Sequence, residues 1–470
     1  MSVHEPGSVR GPSEEAASDA APAPRRWMIL GLLAVAQLML ILDITVVALA
    51  LPHIQTDLEL SREALTWTVS AYTLAFGGLI LLGGRLADVV GAKPMVLAGL
   101  TVFTLASLGV GLAENGTVLL GARIGQGIGA AILSPAALSL VVILFSGTDR
   151  NKALGVWSAL GGAGAALGVL LGGFLVAGFG WSWVFFINVP IGFAIIAALT
   201  RMLPRTPGNS ARLDVLGAVL ATASSTVLVY ALITAGDHGW ITVRTGVLLI
   251  TAALGYTAFA VRQRRARTPL ISLALLTRRS VRTGIVLIFT ATALMIAVFF
   301  LGTFYFQHAR GYSALTSGLL FLPVALATMA GADLTGRALA GVGIRPLAVG
   351  GLILATTGMA IPALSLHPLA VVTGIAIAAA GTGALFVVAS ATTLSQVEPA
   401  EAGIASGVLS TFHEFGASFG AAAVSSVAAA AITGSDFDGF GGGFVLAAAA
   451  ALTAAVLTAL LTRPGASDKA

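Results

Sequence analysis

The stretch "GRLADVVGAKP", Gly84–Pro94, recurs late in the chain as "GRALAGVGIRP", Gly336–Pro346. Both copies begin with Gly-Arg, place a glycine at the eighth position and end with a basic residue and a proline. Each copy also follows a long apolar segment. Recurrence of one loop in the same setting is the sequence signature of an internal duplication. The sequence therefore predicts two homologous halves.

The composition is that of a membrane protein. Of the 470 residues, 57% are hydrophobic and 10% are charged, and the mean hydropathy is +0.97. Soluble domains contain roughly 45–50% apolar and about 25% charged residues. The chain has no cysteine, which excludes disulfides and thiolate metal sites. No metal, nucleotide-loop or nucleophile–base–acid motif is present, so we predict no metal, no cofactor and no enzymatic activity.

The apolar segments predict an all-α integral membrane protein. About 20 apolar residues are needed for each crossing, which gives about fourteen membrane-spanning helices. The first copy of the repeated loop follows the second span and the other copy follows the tenth. Two adjoining six-helix halves would separate the copies by six spans, so two extra helices form a linker pair, in a 6+2+6 arrangement. The predicted spans are residues 28–50, 66–88, 94–112, 117–143, 153–177, 183–203, 215–234, 243–262, 282–306, 316–338, 345–365, 368–393, 403–431 and 441–462.

This arrangement divides the chain into five parts. Residues 1–26 are predicted to form a disordered cytoplasmic tail, because they are too polar to bury an apolar core. Residues 27–203 form the N-terminal six-helix bundle and residues 282–462 the C-terminal one. Between them, residues 204–281 supply the linker pair and a basic cytoplasmic loop. Residues 463–470 form a second cytoplasmic tail.

Basic residues crowd alternate loops, which predicts the orientation in the membrane. With the N terminus inside, the outer segments keep only Arg62, Arg244 and Arg310. The positive-inside rule therefore places both termini on the cytoplasmic side of the cytoplasmic (inner) membrane. The net charge of +5 is then a topology signal, and we predict no nucleic-acid partner. The basic run 262–282 either binds anionic lipid or only fixes this orientation.

Two charged residues lie deep inside predicted spans of the first half, away from the span ends. Asp43 on the first helix and Arg123 on the fourth are each about 10 Å below the outer surface, so the two side chains could meet. Placing a charge at the bilayer centre costs about 2.5–3.5 kcal/mol, and such residues usually face a cavity or a partner. A buried carboxylate beside a guanidinium suits a proton carrier or a substrate contact. The alternative is a static ion pair that only fixes helix packing.

The second half carries its own buried polar residues. His413 and Glu414 fall near the middle of the thirteenth helix, and their side chains point about 100° apart. We expect Glu414 to be a second proton- or cation-binding group and His413 to be its packed, hydrogen-bonded neighbour. Asp333 precedes Arg337 by four residues, a spacing that predicts a structural salt bridge.

Several motifs resemble one transporter family. "LDITVVALALP" (Leu42–Pro52), "RIGQGIGAA" (Arg123–Ala131), "WSWVFFINVPIG" (Trp181–Gly192) and the loop "GRLADVVGAK" are similar to signatures of the major facilitator superfamily, fourteen-span drug:proton antiporter branch. The match covers nearly the whole chain after residue 26. The chain departs from the family pattern at four positions, where Ala48, Val89, Ala92 and Val169 replace asparagine, two arginines and a proline.

The resemblance implies a major facilitator fold and a proton-coupled secondary transporter that exports amphipathic drugs or antibiotics by alternating access. It implies that the substrate is small and amphipathic, with a cation as one option. Protons and the lipid bilayer are the further implied partners. The proton gradient replaces a cofactor. The expected site residues are Asp43, Arg123 and Glu414 for proton coupling, Gln126, Phe300, Phe304 and His413 for the substrate cavity, and Gly84, Asp88, Gly91, Lys93, Arg337 and Arg345 for the inner gate.

Other functions stay open from the sequence. The two phenylalanines could stack on a flat cation or could be ordinary packing residues. The chain could export one dedicated natural product, or import a substrate together with protons. A membrane sensor that does not transport is a further alternative, and it would tolerate the loss of Asp43. A membrane-embedded enzyme is the most distant one.

Overall fold

The computed structural model describes residues 23–204, 206, 208, 213–271, 273–395, 397, 401–432 and 438–461. Within this part of the chain, helices joined by short turns form the whole structure. The long helices are α1 (Ala23–Asp57), α2 (Arg62–Val90), α3 (Ala92–Gly111), α4 (Gly116–Leu144), α5 (Gly147–Phe179), α6 (Asn188–Met202), α7 (Val215–His238), α8 (Val243–Arg265), α9 (Arg279–Thr303), α10 (Ala314–Val342), α11 (Ile344–Leu364), α12 (Pro368–Leu394), α13 (Ala402–Val427) and α14 (Gly439–Leu461). Short helices span Trp183–Phe186, Leu273–Thr277 and Ala429–Ile432, and a π-helical segment, Phe304–Ala309, extends α9.

Twelve of the described helices are long and apolar enough to cross a membrane. The remaining long helices are α5, whose apolar stretch is the shorter Leu167–Phe179, and α13, which carries His413 and Glu414. Every predicted span coincides with one of the fourteen long helices, so the all-α membrane fold is confirmed and the predicted number of spans is compatible with it. The predicted tails lie largely outside the described residues.

The first helix begins earlier than the sequence indicated. The predicted tail extends to residue 26, but α1 already begins at Ala23. Arg25 Nη2 donates to the carbonyl oxygens of Arg201 (3.1 Å) and Met202 (2.9 Å) at the end of α6. A cation stabilises the carbonyls left free at a helix C terminus. This contact holds the first turn of α1 in helical form.

The two halves repeat one packing pattern. In the first half α2 and α3 pack on α4, α1 packs on α5, and α3 packs on α6. In the second half α10 and α11 pack on α12, α9 packs on α13, and α11 packs on α14. Each helix pair of the second half therefore corresponds to a first-half pair whose helix numbers are lower by eight. The duplication predicted from the repeated loop is therefore visible in the helix packing.

The repeated loops share their backbone geometry. Gly91 ends α2 with φ +105°, and Gly343 ends α10 with φ +86°. Positive φ at this position favours glycine, which explains the glycine that both copies place eighth. The basic residue two positions later caps the last helix of its own half: Lys93 Nζ donates to Leu203 O (2.7 Å) after α6, and Arg345 Nη2 donates to Ala459 O (3.4 Å) on α14.

The halves meet mainly through two helix pairs, α2 with α13 and α5 with α10, and α1 adds smaller contacts with α9 and α10. The two main pairs are equivalent, because α2 of the first half corresponds to α10 of the second, and α13 of the second half corresponds to α5 of the first. This equivalence is expected for two halves related by a pseudo-twofold axis. The linker pair sits beside the first contact, because α7 packs against both α2 and α13, and α8 packs on α7.

The two ends of the bundle differ. We call the end that carries the repeated loops the repeat end, and the opposite end the far end. At the far end one apolar core joins both halves and includes Leu49, Phe185, Phe300, Phe321 and Phe444. Toward the repeat end one cluster surrounds Leu133 in the first half and another surrounds Leu385 in the second. A smaller cluster around Val408 of α13 includes Leu81 of α2 and Ala218 of the linker pair. The two halves therefore share one large core at the far end, whereas toward the repeat end they stay in contact along α2 and α13.

Candidate functional site

Asp43 and Arg123 meet inside the first half. Arg123 Nη1 donates to Asp43 Oδ2, and both residues are almost completely buried, with exposures of 1% for Arg123 and 3% for Asp43. Gln126 lies between the two charges: its Oε1 accepts from Arg123 Nη1 (2.8 Å) and its Nε2 donates to Asp43 Oδ1 (3.0 Å). The carboxylate thus has an ionic partner on one oxygen and an amide on the other.

Residues of two further helices complete this network. Arg123 Nε donates to the backbone carbonyl of Thr68 on α2 (2.8 Å), and Gln126 Nε2 also donates to Ser107 Oγ on α3 (2.9 Å). The Arg123 guanidinium lies 4.6 Å from the centre of the Tyr72 ring, a distance typical of a cation–π contact. Four helices of the first half therefore hold the ion pair.

The local sequence explains why α4 can supply this site. Arg123 and Gln126 are three residues apart, so they lie on the same face of the helix. Gly127 follows them, and a Cβ at this position would come within 2.5 Å of the Tyr72 carbonyl oxygen on α2. The glycine lets the two backbones approach closely enough for Arg123 to reach Thr68 O. The motif "RIGQGIGAA" thus supplies two polar side chains, Arg123 and Gln126, and a glycine that lets α4 pack closely against α2.

Glu414 lies on the other side of α2. It is 5% exposed, its Oε1 pairs with His413 Nδ1 (3.1 Å), and its buried Oε2 has no hydrogen-bond partner among the residues that the structure describes. Its Cβ faces Gly77 of α2, where an added Cβ would come within 2.6 Å. Tyr72 is close enough to interact electrostatically with both Asp43 and Glu414. The sequence prediction that His413 is hydrogen-bonded to Glu414 is confirmed.

The residues predicted to line a substrate cavity lie in three different places. His413 is the accessible one: its side chain is 35% exposed near the middle of α13. Gln126 is fully buried in the ion-pair network. Phe300 and Phe304 pack against each other inside the far-end core, with ring centres 5.1 Å apart and ring planes tilted by 41°. Their contact with substrate stays a prediction.

The predicted gate residues all lie at the repeat end. Asp88 is more than half exposed, and Arg85 Nη1 is 3.9 Å from its Oδ2. Gly84 packs near Pro135, and Gly91 and Lys93 shape the first loop as described above. The salt bridge predicted between Asp333 and Arg337 forms at 2.8 Å, although both side chains are largely exposed. Among the described residues, each ion pair of these loops lies within one half.

Sequence reasoning missed two buried residues on α2. Arg62 was assigned to an outer segment, but it is 5% exposed and begins α2, whose N-cap is Ser61. The available signal was this serine, whose Oγ accepts from Ala64 N (3.2 Å), a typical N-cap spacing. Tyr72 gave no such signal, because an aromatic residue inside an apolar span is unremarkable until its neighbours are known.

Comparison with known proteins identifies the family. The sequence profile of the Major Facilitator Superfamily matches residues 33–421. The puromycin resistance protein pur8 of Streptomyces alboniger is 36% identical and covers 89% of this chain and 84% of its own length. The cephamycin export protein CmcT of Amycolatopsis lactamdurans is also 36% identical, over 91% of this chain and 90% of its own. The multidrug resistance protein Stp of Mycobacterium tuberculosis is 33% identical over 83% and 74%, respectively.

Solved structures share the fold. A bacterial homolog of the human lysosomal transporter Spinster, in an inward-facing and unoccupied conformation, has a TM-score of 0.68 at 16% identity, over 94% of this chain and 98% of that one. A mutant of the peptide transporter POT has a TM-score of 0.67 at 15% identity, over 96% and 98%. At these identities the likeness concerns the fold alone. The profile match over most of the chain and the relatives above 30% identity show that this multi-pass membrane protein belongs to the Major Facilitator Superfamily and is a transporter, not an enzyme.

Proposed function

We propose that this transporter exports amphipathic antibiotics or drugs across the cytoplasmic membrane in exchange for protons. The observation that carries the proposal is the buried Asp43, which a guanidinium and an amide hold inside the membrane. A carboxylate kept there at a cost of about 2.5–3.5 kcal/mol suits a group that binds and releases protons. The names of the relatives, which mention puromycin, cephamycin and multidrug resistance, support an antibiotic-like substrate.

Proton binding at Asp43 changes the charge balance of the network. A neutral carboxylic acid no longer attracts the Arg123 guanidinium, which keeps its hydrogen bonds to Thr68 O (2.8 Å) and Gln126 Oε1 (2.8 Å). Protonation therefore loosens α1 from α4 without leaving Arg123 unpartnered. The proton gradient supplies the energy in this scheme, and no cofactor takes part.

The first helix can pass this change to the other half. Leu49, six residues after Asp43 on α1, accepts a hydrogen bond from Gln307 Nε2 (3.0 Å) in the π-helical segment that extends α9. This bond crosses between the halves at the far end. Short π-helical segments often occur at functional sites. Movement of α1 would therefore act directly on the far-end seal.

Glu414 and His413 are the second titratable pair of the proposed mechanism. His413 is accessible in the middle of α13, and the unpaired Oε2 of Glu414 can accept a proton or a cationic group. Because Glu414 packs against α2 and Asp43 lies on its other side, substrate and proton sites on the two halves would be separated by one helix. This arrangement allows a cation bound near Glu414 to be displaced when the halves rock.

The orientation follows from charge. The loops and helix ends at the repeat end hold most arginines and lysines, so we place this end and both termini in the cytoplasm. In the proposed cycle a cleft between the halves opens to the cytoplasm at this end, where a substrate enters from the cell or the inner leaflet. Asp88, Arg337 and the rest of the repeated loops would come together only when the cleft closes.

Uptake into inverted membrane vesicles tests the proposal. A pH gradient that is acidic inside should drive accumulation of puromycin or of a cationic dye, and a protonophore should abolish it. Vesicles that carry Asp43→Asn serve as the matched control. Absence of gradient-driven uptake for every compound of a broad antibiotic and dye panel would contradict export. Uptake of a single compound would favour a dedicated exporter, and movement in the opposite direction would favour a proton-coupled importer.

A further inference from the structure

At the far end, Arg62, the first residue of α2, has several polar partners in the part of the chain that the structure describes. Arg62 is 5% exposed, and its Nε (3.0 Å) and Nη2 (2.6 Å) both reach Asp237 Oδ1 on α7. Nη2 also donates to Ile233 O (3.0 Å), and Nη1 donates to Ser425 O (3.0 Å) and Ser425 Oγ (2.8 Å) on α13. Arg62 therefore donates four hydrogen bonds, and its Nη2 also lies against the carboxylate that neutralises its charge.

Arg62 and its partners come from three different parts of the fold. Arg62 belongs to the first half, Ser425 to the second half, and Asp237 and Ile233 to the linker pair. Thr66 strengthens the crossing, because its Oγ1 lies 2.7 Å from Ser425 Oγ. On the linker side, α7 approaches α13 at Gly236, where an added Cβ would come within 2.6 Å of Ser426 Cα. The site thus lies on the boundary between the two halves, and α7 packs over it.

The buried positive charge of Arg62 depends on a carboxylate that the linker pair supplies. A buried guanidinium that loses its only carboxylate is costly, since its charge is then uncompensated. Asp237 is the carboxylate that the structure provides, and its side chain is 34% exposed. It also fixes the orientation in which Nη1 points at Ser425 across the boundary. Opening of the far end must break the bonds between Arg62 and Ser425.

We infer that Arg62, Asp237 and Ser425 form a lock that holds the far end closed, in which the linker pair supplies the counterion. The lock rests on the proposed alternating access, and it gives the two extra helices a role in transport. Asp237 is a positioning residue here, because it acts through Arg62. Weakening the lock should favour the conformation that is open at the far end and closed at the repeat end.

Distances between spin labels in lipid nanodiscs test the lock without any transport assay. The chain has no cysteine, so single labels can be placed at the exposed Leu112 and Leu364 for the far end, and at Val90 and Val342 for the repeat end. We expect Asp237→Asn to raise the ratio of far-end-open to far-end-closed molecules by about fivefold or more. Ser425→Ala, a smaller change, should shift the ratio in the same direction. The repeat-end distance should shorten in parallel.

Two comparisons separate a lock from simple support of the fold. Asp57→Asn is the matched control, because Asp57 also lies at the far end but accepts from Trp181 Nε1 (2.9 Å) within the first half. It should leave both distances unchanged. In an Arg62→Gln background, Asp237→Asn should have little further effect, since the two residues act as a pair.

The result that would overturn the lock is an unchanged far-end distance in folded Asp237→Asn and Ser425→Ala protein, even if thermal stability falls. Equal effects of Asp237→Asn with and without Arg62 would also overturn it. A failure of proton-driven uptake in wild-type vesicles would instead count against the proposed function, because the distance measurement does not depend on protons or substrate.

Discussion

Asp43 illustrates how one residue type can be read from sequence while its surroundings cannot. A carboxylate in an apolar span is conspicuous, and the depth of Arg123 on its own helix indicated a partner. The structure brings the two together. Gln126 bridges the pair, because the spacing of three residues aims it at the same point as Arg123, and its contact with substrate stays a prediction. Ser107 and Tyr72 contribute from helices whose rotation no sequence pattern shows.

At this scale we expect Asp43→Asn to insert and fold, yet to lose proton-driven export. The amide keeps the shape of the side chain but cannot carry a proton, and Arg123 retains Thr68 O and Gln126. Uptake driven by a pH gradient should fall to the level of vesicles without the protein. Asp333→Asn, which alters an exposed pair, is the control and should transport normally. Wild-type uptake by Asp43→Asn would remove Asp43 from coupling.

At the scale of elements, glycines decide how closely α5 and α10 approach at the far end. A Cβ at Gly318 would come within 2.6 Å of Val169 O, whereas a Cβ at Gly336 of the same helix would meet nothing within 4 Å. Sequence inspection identified both helices but not this difference, because it depends on which face of α10 meets the other half. The fold was predictable from hydropathy and the repeat, and the contacts between the halves were not.

The two glycines give a matched pair of variants. We expect Gly318→Ala to destabilise the closed far end by about 1–3 kcal/mol, since overpacking forces the helices apart. Gly336→Ala should be neutral or stabilising by about 0.5–1 kcal/mol, because alanine is the better helix former. Thermal unfolding midpoints in detergent and far-end spin-label distances measure both. Equal behaviour of the two variants would show that α5 and α10 do not pack as described.

The loop after α2 is the second element whose role can be tested. Asp88 is exposed here, and its nearest ion partner is a neighbour on its own helix at 3.9 Å. Its substitution should therefore cost almost nothing in the conformation that is open at the repeat end. We expect Asp88→Asn to disfavour the other conformation and to raise the ratio of repeat-end-open to repeat-end-closed molecules by about 5–150-fold.

Spin-label distances between the two repeated loops measure this shift. The second copy supplies the control, because it has the neutral Ala340 where the first has Asp88. Asp333→Asn, near that copy, should leave the distances unchanged. If Asp88→Asn protein that still binds substrate shows the wild-type distance distribution, the loop motif takes no part in closing the cleft.

For the whole molecule, the positive-inside rule makes a direct prediction. A cysteine introduced at the exposed Ala274, in the basic loop, should be protected from an impermeant reagent in intact cells and should react after permeabilisation. Ile241, fully exposed in the turn between α7 and α8, is the matched position on the other face and should react in intact cells. The absence of native cysteine makes each signal unambiguous. The opposite labelling pattern would invert the proposed orientation.

The apolar core at the far end also determines where the membrane voltage acts. When the proposed cleft fills with an ion-containing solution, the electric field is concentrated across the far-end core, where Leu49, Phe300 and Phe321 join the halves. A charge that crosses the whole membrane potential gains about 2.3 kcal/mol per 100 mV. A proton that reaches Asp43 from the far side crosses much of that field in a short distance. Voltage should therefore favour proton arrival at Asp43 even when the pH is equal on both sides.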